Sequence, residues 1–442
     1  MSLPILPVLC TLWLLLPLPG TTGTAAARQQ HPQAEQPGAG EPLDLAACVR
    51  LALEANPGWL ARRAAVEATR AGITESRSAR YPSLDLTGSA SRTDAGQTAP
   101  SDRHDLRLSL RQTLYQGGRV DASIEAARAA LDADQAGLEA SRADLVLAVH
   151  RAWYGLARSE RLVDAARQGR EQSRLNLEVA EAGLETGLGT RPDVLRARVD
   201  VSAAELTLTR ARNDLERARA GLNALLGRPA GSTIPILSEG SGEPPPEVPE
   251  WDELRRTALE RRPELRRDRA RTDLREAAVR IARGTYYPSV TADAGLSRGG
   301  MASMSPDQTW SAGVVAALPL FDGRARAAGV WAQEALLEQA RYDEEETIQQ
   351  IELEVWEALL AERESLRRLE NARTLVEAAQ ENLEAAQESY RQGLGSMVAL
   401  VDARTALSEA EQILIETTYD RHVVRAVLER ASGALVWEEE RR

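Results

Sequence analysis

Few side chains in this chain could carry out a reaction, and their spacing keeps them apart. The histidines stand at His31, His104, His150 and His422, too dispersed to assemble a metal cluster, so no metal is expected. All 54 basic residues are arginines. That excludes the phosphate-gripping lysine of a P-loop, Schiff-base formation and a lysine general base together. With the histidines so dispersed, a hydrolase is not expected either. The two cysteines are Cys10 and Cys48. Leu45-Ala46-Ala47-Cys48 has the local form of a lipoprotein cleavage box, but it follows a polar, proline-rich segment and sits in an amphipathic helical pattern, so lipidation is not expected. No enzyme activity and no cofactor are anticipated from these residues.

Composition points to long helices instead. Aromatic residues make up 4% of the chain, with a single Phe, which leaves no stacking surface for nucleic-acid bases. The net charge of -12 would repel a phosphate backbone, so no nucleic-acid partner is expected. An acidic chain can still line a water-filled space that tolerates cations. The apolar stretch Leu9 to Leu18, followed by Thr24-Ala-Ala-Ala27, resembles a secretory signal, and residues 1–27 are read as a leader removed before Arg28. No other apolar run approaches the ~20 residues of a membrane-spanning helix. Entry into a bilayer would therefore be by strands.

The elements that position these residues occur twice. A shift of 206 residues lays Arg50-Leu-Ala-Leu-Glu54 and Pro57 on Arg256-Thr-Ala-Leu-Glu260 and Pro263, Tyr81-Pro82 on Tyr287-Pro288, and Gly187-Leu-Gly189 on Gly393-Leu-Gly395. Each half is one copy of a single unit. A copy opens with a helix from Leu43 to about Asn56, then a second from Pro57 to Arg80. Period-two alternation in Leu84 to Ser91 and Leu106 to Arg111, and in Val290 to Leu296 and Trp310 to Leu318, marks strands at about 83–92, 104–113, 289–298 and 309–319. Each is close to the ~9–11 residues of a tilted membrane strand. A proline-free segment from Arg119 to Thr186 then carries Ile124, Leu131, Leu138 and Leu145 at heptad spacing, with Ala127, Ala148 and Val149 filling the same stripe, and its counterpart over Ala325 to Gln392 carries Val330, Leu337, Ile351 and Val355. At 1.5 Å per residue each is a helix on the order of 100 Å long. Gly187-Leu-Gly-Thr190 reverses the first, and a shorter helix returns to about Leu226.

The expected organisation is a flexible N-terminal segment at 28–42, a first repeat at 43–227 with its helical hairpin at about 118–227, a proline- and glycine-rich linker at 228–250, a second repeat at 251–433 with its hairpin at about 324–433, and a charged tail at 434–442. Four strands per chain leave unpaired edges that lipid does not tolerate. Several chains must then share one barrel, and eight, twelve or sixteen strands all satisfy the edges. A soluble periplasmic coiled-coil scaffold or adaptor without a channel is the competing reading.

Leu114-Tyr-Gln-Gly-Gly-Arg119 and Leu318-Pro-Leu-Phe-Asp-Gly-Arg324, each ending a strand and opening a long helix, resemble the Leu-Phe-Asp-Gly-Gly-Arg turn of the TolC-type outer membrane efflux proteins. Thr186-Gly-Leu-Gly-Thr190 and Tyr390-Arg-Gln-Gly-Leu-Gly-Ser396, followed by Leu400-Val-Asp-Ala403, resemble that family's hairpin tips. The resemblance runs from Leu43 to Gly433. It implies a mainly α fold with membrane β-strands, a homotrimer with a twelve-stranded barrel in outer membrane lipid, and a long α-helical barrel across the periplasm. It also implies an exit duct for tripartite efflux or type I secretion, with a periplasmic adaptor (membrane fusion protein) and an inner-membrane pump of RND, ABC or MFS type as partners.

The resemblance further assigns Asp402 and Asp193 to the periplasmic aperture, where three Asp402 carboxylates would face one another and attract cations. Asp193 also suits a plain first-turn position on a helix, and Asp402 an exposed place near a helix start. The tips Gly187, Leu188, Gly189, Thr190 and Gly393, Leu394, Gly395, Ser396 are the expected adaptor-docking elements. By alternation, Asp85, Arg107, Arg111 and Asp293 would face the barrel lumen. His150 and Trp153 are read as packing residues.

Overall fold

The computed structural model describes residues 43–93, 101–187, 189–233, 235–236, 248, 250–301 and 307–435. The expected leader, the 28–42 segment, most of the linker, the last residues of the tail and Leu188 lie outside them. The first repeat contains α1 (Leu45–Ala55), α2 (Pro57–Ser78), β1 (Ser83–Thr93), β2 (Ser101–Gln116), α3 (Arg119–Glu185) and α4 (Arg191–Leu225). The second contains α5 (Trp251–Arg261), α6 (Pro263–Gly284), β3 (Ser289–Met301), β4 (Asp307–Ala317), α7 (Ala325–Arg391) and α8 (Met397–Ala431). Every helix of the second repeat begins and ends 206 residues after its counterpart, and β3 begins 206 residues after β1.

Local chemistry sets these boundaries. Asp44 caps α1 by accepting from the Ala47 N–H at 2.6 Å, and Asn56 caps α2 by accepting from the Trp59 N–H at 3.0 Å, with Pro57 at the first helical position. Gly117 and Gly118 take positive φ between β2 and α3. β4 stops at Ala317 rather than at about 319: Pro319 has no N–H to donate to a ladder. β2 is longer than expected, reaching Gln116 through an irregularity between Thr113 and Tyr115.

The expected leucine stripe of α3 is only partly right. Ile124 is buried, but Leu131, Leu138 and Leu145 are half-exposed, and the other buried positions between Arg119 and Leu145 are Ala122, Ala129, Ala133, Ala136 and Ala140. Small side chains let α2 and α6 lie close along α3, so the contact seam is an alanine seam. The larger core is built twice. Cys48, Ala52, Val149 and Leu222 of one cluster sit at the repeat positions of Leu254, Ala258, Val355 and Leu428 of the other. Cys48 is fully buried in the first, and burial, together with the Asp44 charge, pushes its thiol up to about 12. Trp153 belongs to this core, and His150 is lowered to about 4 by burial.

The strands form one antiparallel sheet in the order β1-β2-β3-β4, and the β2–β3 pairing joins the two repeats. Among the described residues no helix is long and apolar enough to cross a membrane.

Candidate functional site: the polar sheet face and the hairpin tips

Register fixes which strand residues share a face. Leu84, Leu110 and Ala294 are consecutive partners across three strands, as are Leu86, Leu108, Leu296 and Trp310 across four. That face is apolar and open: Leu86 is 60% and Trp310 80% exposed. The opposite face carries Asp85, paired in register with Ser109, and Arg107, paired with Thr87 and Ser297. It also carries Arg111 opposite Asp293, where the guanidinium Nε donates to the carboxylate at 3.0 Å. All four strand residues singled out in the sequence therefore lie on one polar face. β1 and β4 are the two edges, and each is exposed along its whole length.

At the far end of the helices both hairpins reverse through the same backbone device. Gly187 and Gly393 adopt φ of 74° and 72°, a conformation open to glycine without penalty. The Gly393 N–H donates to the Tyr390 carbonyl and the Leu394 N–H to the Ser389 carbonyl, which satisfies the last carbonyls of α7. Gly189 and Gly395 are required for space instead. A Cβ on either would stand 3.0 Å from the backbone of its own preceding helix end.

The tip residues have separate local duties. Thr190 donates from its N–H and its hydroxyl to the Asp193 carboxylate at 2.9 and 2.6 Å, so Asp193 is engaged by its own helix start. Ser396 accepts from the Ala399 N–H at 3.2 Å. Asp402 pairs across the hairpins with Arg196 of α4, at 3.7 Å. An apolar cluster of Ala180, Val194, Ala197, Leu383, Met397 and Leu400 holds the two tips together behind this pair.

Two charged clusters went unnoticed in the sequence. The buried Arg262 side chain donates to both Glu264 oxygens, at 3.1 and 3.0 Å, and also to Glu354. Arg430 in turn bridges Glu264 and Asp144. Burial alone would raise the Glu264 pKa, but the Arg262 hydrogen bonds and the two guanidinium charges outweigh it and bring it to about 2. The second cluster surrounds Glu362, whose fully buried carboxylate lies 3.9 Å from Arg425. Its pKa is raised by burial. Both clusters join segments far apart in sequence, so only the 206-residue alignment signals them, by showing charges in the second repeat where the first has Asn56, Gly58 and Leu156.

Comparison with known proteins settles the class. The profile of the outer membrane efflux proteins matches residues 48–228 and again 254–434. The chain belongs to the outer membrane efflux protein family. Among its relatives, CyaE of Bordetella pertussis is 30% identical over 319 residues, covering 68% of this chain and 65% of CyaE. The chain thus spans about two thirds of that relative's length. Outer membrane protein OprJ of Pseudomonas aeruginosa is 27% identical over 420 residues, covering 90% of this chain and 85% of OprJ. The solved structure of CusC, a protein that forms a transmembrane channel, superposes with a TM-score of 0.77 at 21% identity over 88% of this chain and 91% of CusC. As a member of that family it is an outer membrane efflux protein. Its family and fold neighbours are channel proteins rather than enzymes.

Proposed function

We propose that three copies of this chain close into a passive conduit, with twelve strands forming the membrane barrel and the hairpins the periplasmic tube. The observation that carries this reading is an imbalance between repeats. α3 is covered on its flank by α6 and α8 of the second repeat. Its counterpart α7 presents Trp331, Tyr342, Leu353, Trp356 and Leu360 to solvent, with Trp331 78% exposed, although the equivalent α3 residues Ala136 and Leu147 are buried. A second copy supplies the missing cover, its α2 and α4 standing to α7 as α6 and α8 stand to α3. The free edge of β4 meets the free edge of β1 in the same step, which removes both edges.

In this arrangement residues 43–227 and 251–433 are the two wall units, and Asp85, Arg107, Arg111 and Asp293 line the lumen. Asp402 and Asp193 lie near the periplasmic aperture. Gly187 to Thr190 and Gly393 to Ser396 are the surfaces offered to a periplasmic adaptor, which links the duct to an inner-membrane pump. The deciding experiment is recovery of an SDS-resistant trimer from outer membrane fractions together with conductance in planar bilayers. Introducing Leu353→Glu with Leu360→Glu on the open flank of α7 abolishes the trimer in this reading. A double variant that remains fully trimeric, or a soluble wild-type monomer, overturns it.

A further inference from the structure

Arg196 and Asp402 occupy the same position in the repeat, 206 residues apart, and they meet each other at 3.7 Å across the tips of the two hairpins. In a closed ring of six equal units, equivalent points on neighbours are as far from each other as each is from the axis. Two residues at equivalent positions whose side chains reach each other therefore stand within side-chain reach of the axis of the ring. We infer that the aperture is lined by a balanced ring of three Arg196 and three Asp402 in alternation, and that Arg196 sets its ion selectivity by cancelling the aspartate charge. This rests on the trimeric channel reading above.

The neighbouring charges support the assignment. Asp193 is held by Thr190 in its own helix cap. Asp200, one turn along α4, is within electrostatic reach of both Arg196 and Asp402, but its buried carboxylate oxygen lines a cavity of about 680 Å³ between α3, α4 and α8 that also holds Arg404. Both partners of the pair remain about half exposed or more, at 49% and 65%, so they are free to face a pore. An all-acidic ring would act as a cation trap through the focusing of like charges, whereas alternating charges at such spacing largely cancel a few ångströms away.

The test is the reversal potential of the full-length protein in planar bilayers under a potassium chloride gradient. Arg196→Ala should raise the cation-to-anion permeability ratio severalfold, and Asp402→Ala should lower it by a similar factor. Arg196→Lys should behave as wild type, and the double alanine variant should return close to wild type. An Arg196→Ala channel with wild-type selectivity, or a double variant that keeps the selectivity of Asp402→Ala alone, overturns the balanced ring while leaving the channel intact. Wild-type protein that forms no conducting trimer overturns the channel reading itself, and the ring with it.

Discussion

The two repeats share one frame and differ in what they do with their flanks. In the first, Asn56 caps α2 and its side-chain amide donates to the Leu225 carbonyl at 3.0 Å. In the second, the same position is Arg262, the centre of a buried ionic cluster with Glu264, Glu354 and Arg430. That cluster lies where α6, α7 and α8 meet α3, at the seam between repeats inside one chain. The corresponding flank of α7, which meets another copy in the proposed trimer, is aromatic and aliphatic instead. The base of the sheet shows the same contrast. A Cβ on Gly117 would collide with the Gly284 carbonyl oxygen at 2.5 Å, whereas a Cβ on its counterpart Gly323 meets nothing within 4 Å. Duplication thus kept the lengths and let the two kinds of contact diverge.

Core substitutions should break both repeats equally. Leu222 and Leu428 are equivalent and buried, and replacing either with Ala should lower unfolding stability by about 3 kcal/mol in thermal or denaturant unfolding. A marked difference between them would show that one repeat dominates the fold.

The ionic seam has no counterpart within the first repeat. Glu264→Gln removes a carboxylate whose folded pKa lies near 2, below its ordinary value of 4.5. A depressed carboxylate stabilises above the unfolded pKa and loses that contribution as pH falls toward the folded one. The variant should therefore lose about 3 kcal/mol at neutral pH, with the gap to wild type closing between about pH 4.5 and 2. Its counterpart Gly58 offers no such pH dependence.

Glu362 has the opposite sign. Its pKa is raised by burial, so its charged form destabilises the fold once pH exceeds the ordinary carboxylate range. Glu362→Leu, which restores the residue found at Leu156, should raise stability by about 1–2 kcal/mol at neutral pH and less in acid. Melting curves at several pH values check both carboxylates together.

The smallest effect concerns the turn into the long helices. Arg324 has φ of 74° where the first repeat has Gly118 at 77°. Arg324→Gly should stabilise by up to about 1 kcal/mol, and Gly118→Ala should destabilise by a similar amount, since no atom lies within 4 Å to add a clash. Equal melting temperatures for Arg324→Gly and the parent would show that the arginine side chain compensates through contacts of its own.

The architecture was legible because its signals are local. Pro57, Pro263 and the Tyr-Pro pairs punctuate, Gly187 and Gly393 reverse, and two-residue alternation separates Leu84 and Leu86 from Asp85 and Thr87. The strand order was not legible, nor was the Arg111–Asp293 contact, because pairing across 182 residues leaves no periodic trace. Side-chain size misled the reading of α3, where close approach favours alanine over the more conspicuous leucines. At the tips the sequence marked Asp402 but not Arg196, although the shift that revealed the repeats lays one on the other. Asp193 is more local than its position implied, since Thr190 takes its carboxylate.

The strict match of helix ends restricts how this chain can change. Deleting one residue from the middle of α3 would rotate everything beyond it by about 100° and pull it back by about 1.5 Å, moving the alanine seam off its neighbours. Only the same deletion in α7 would realign the two tips. Any freedom lies outside the helices: β2 runs to Gln116, whereas its counterpart β4 stops at Ala317.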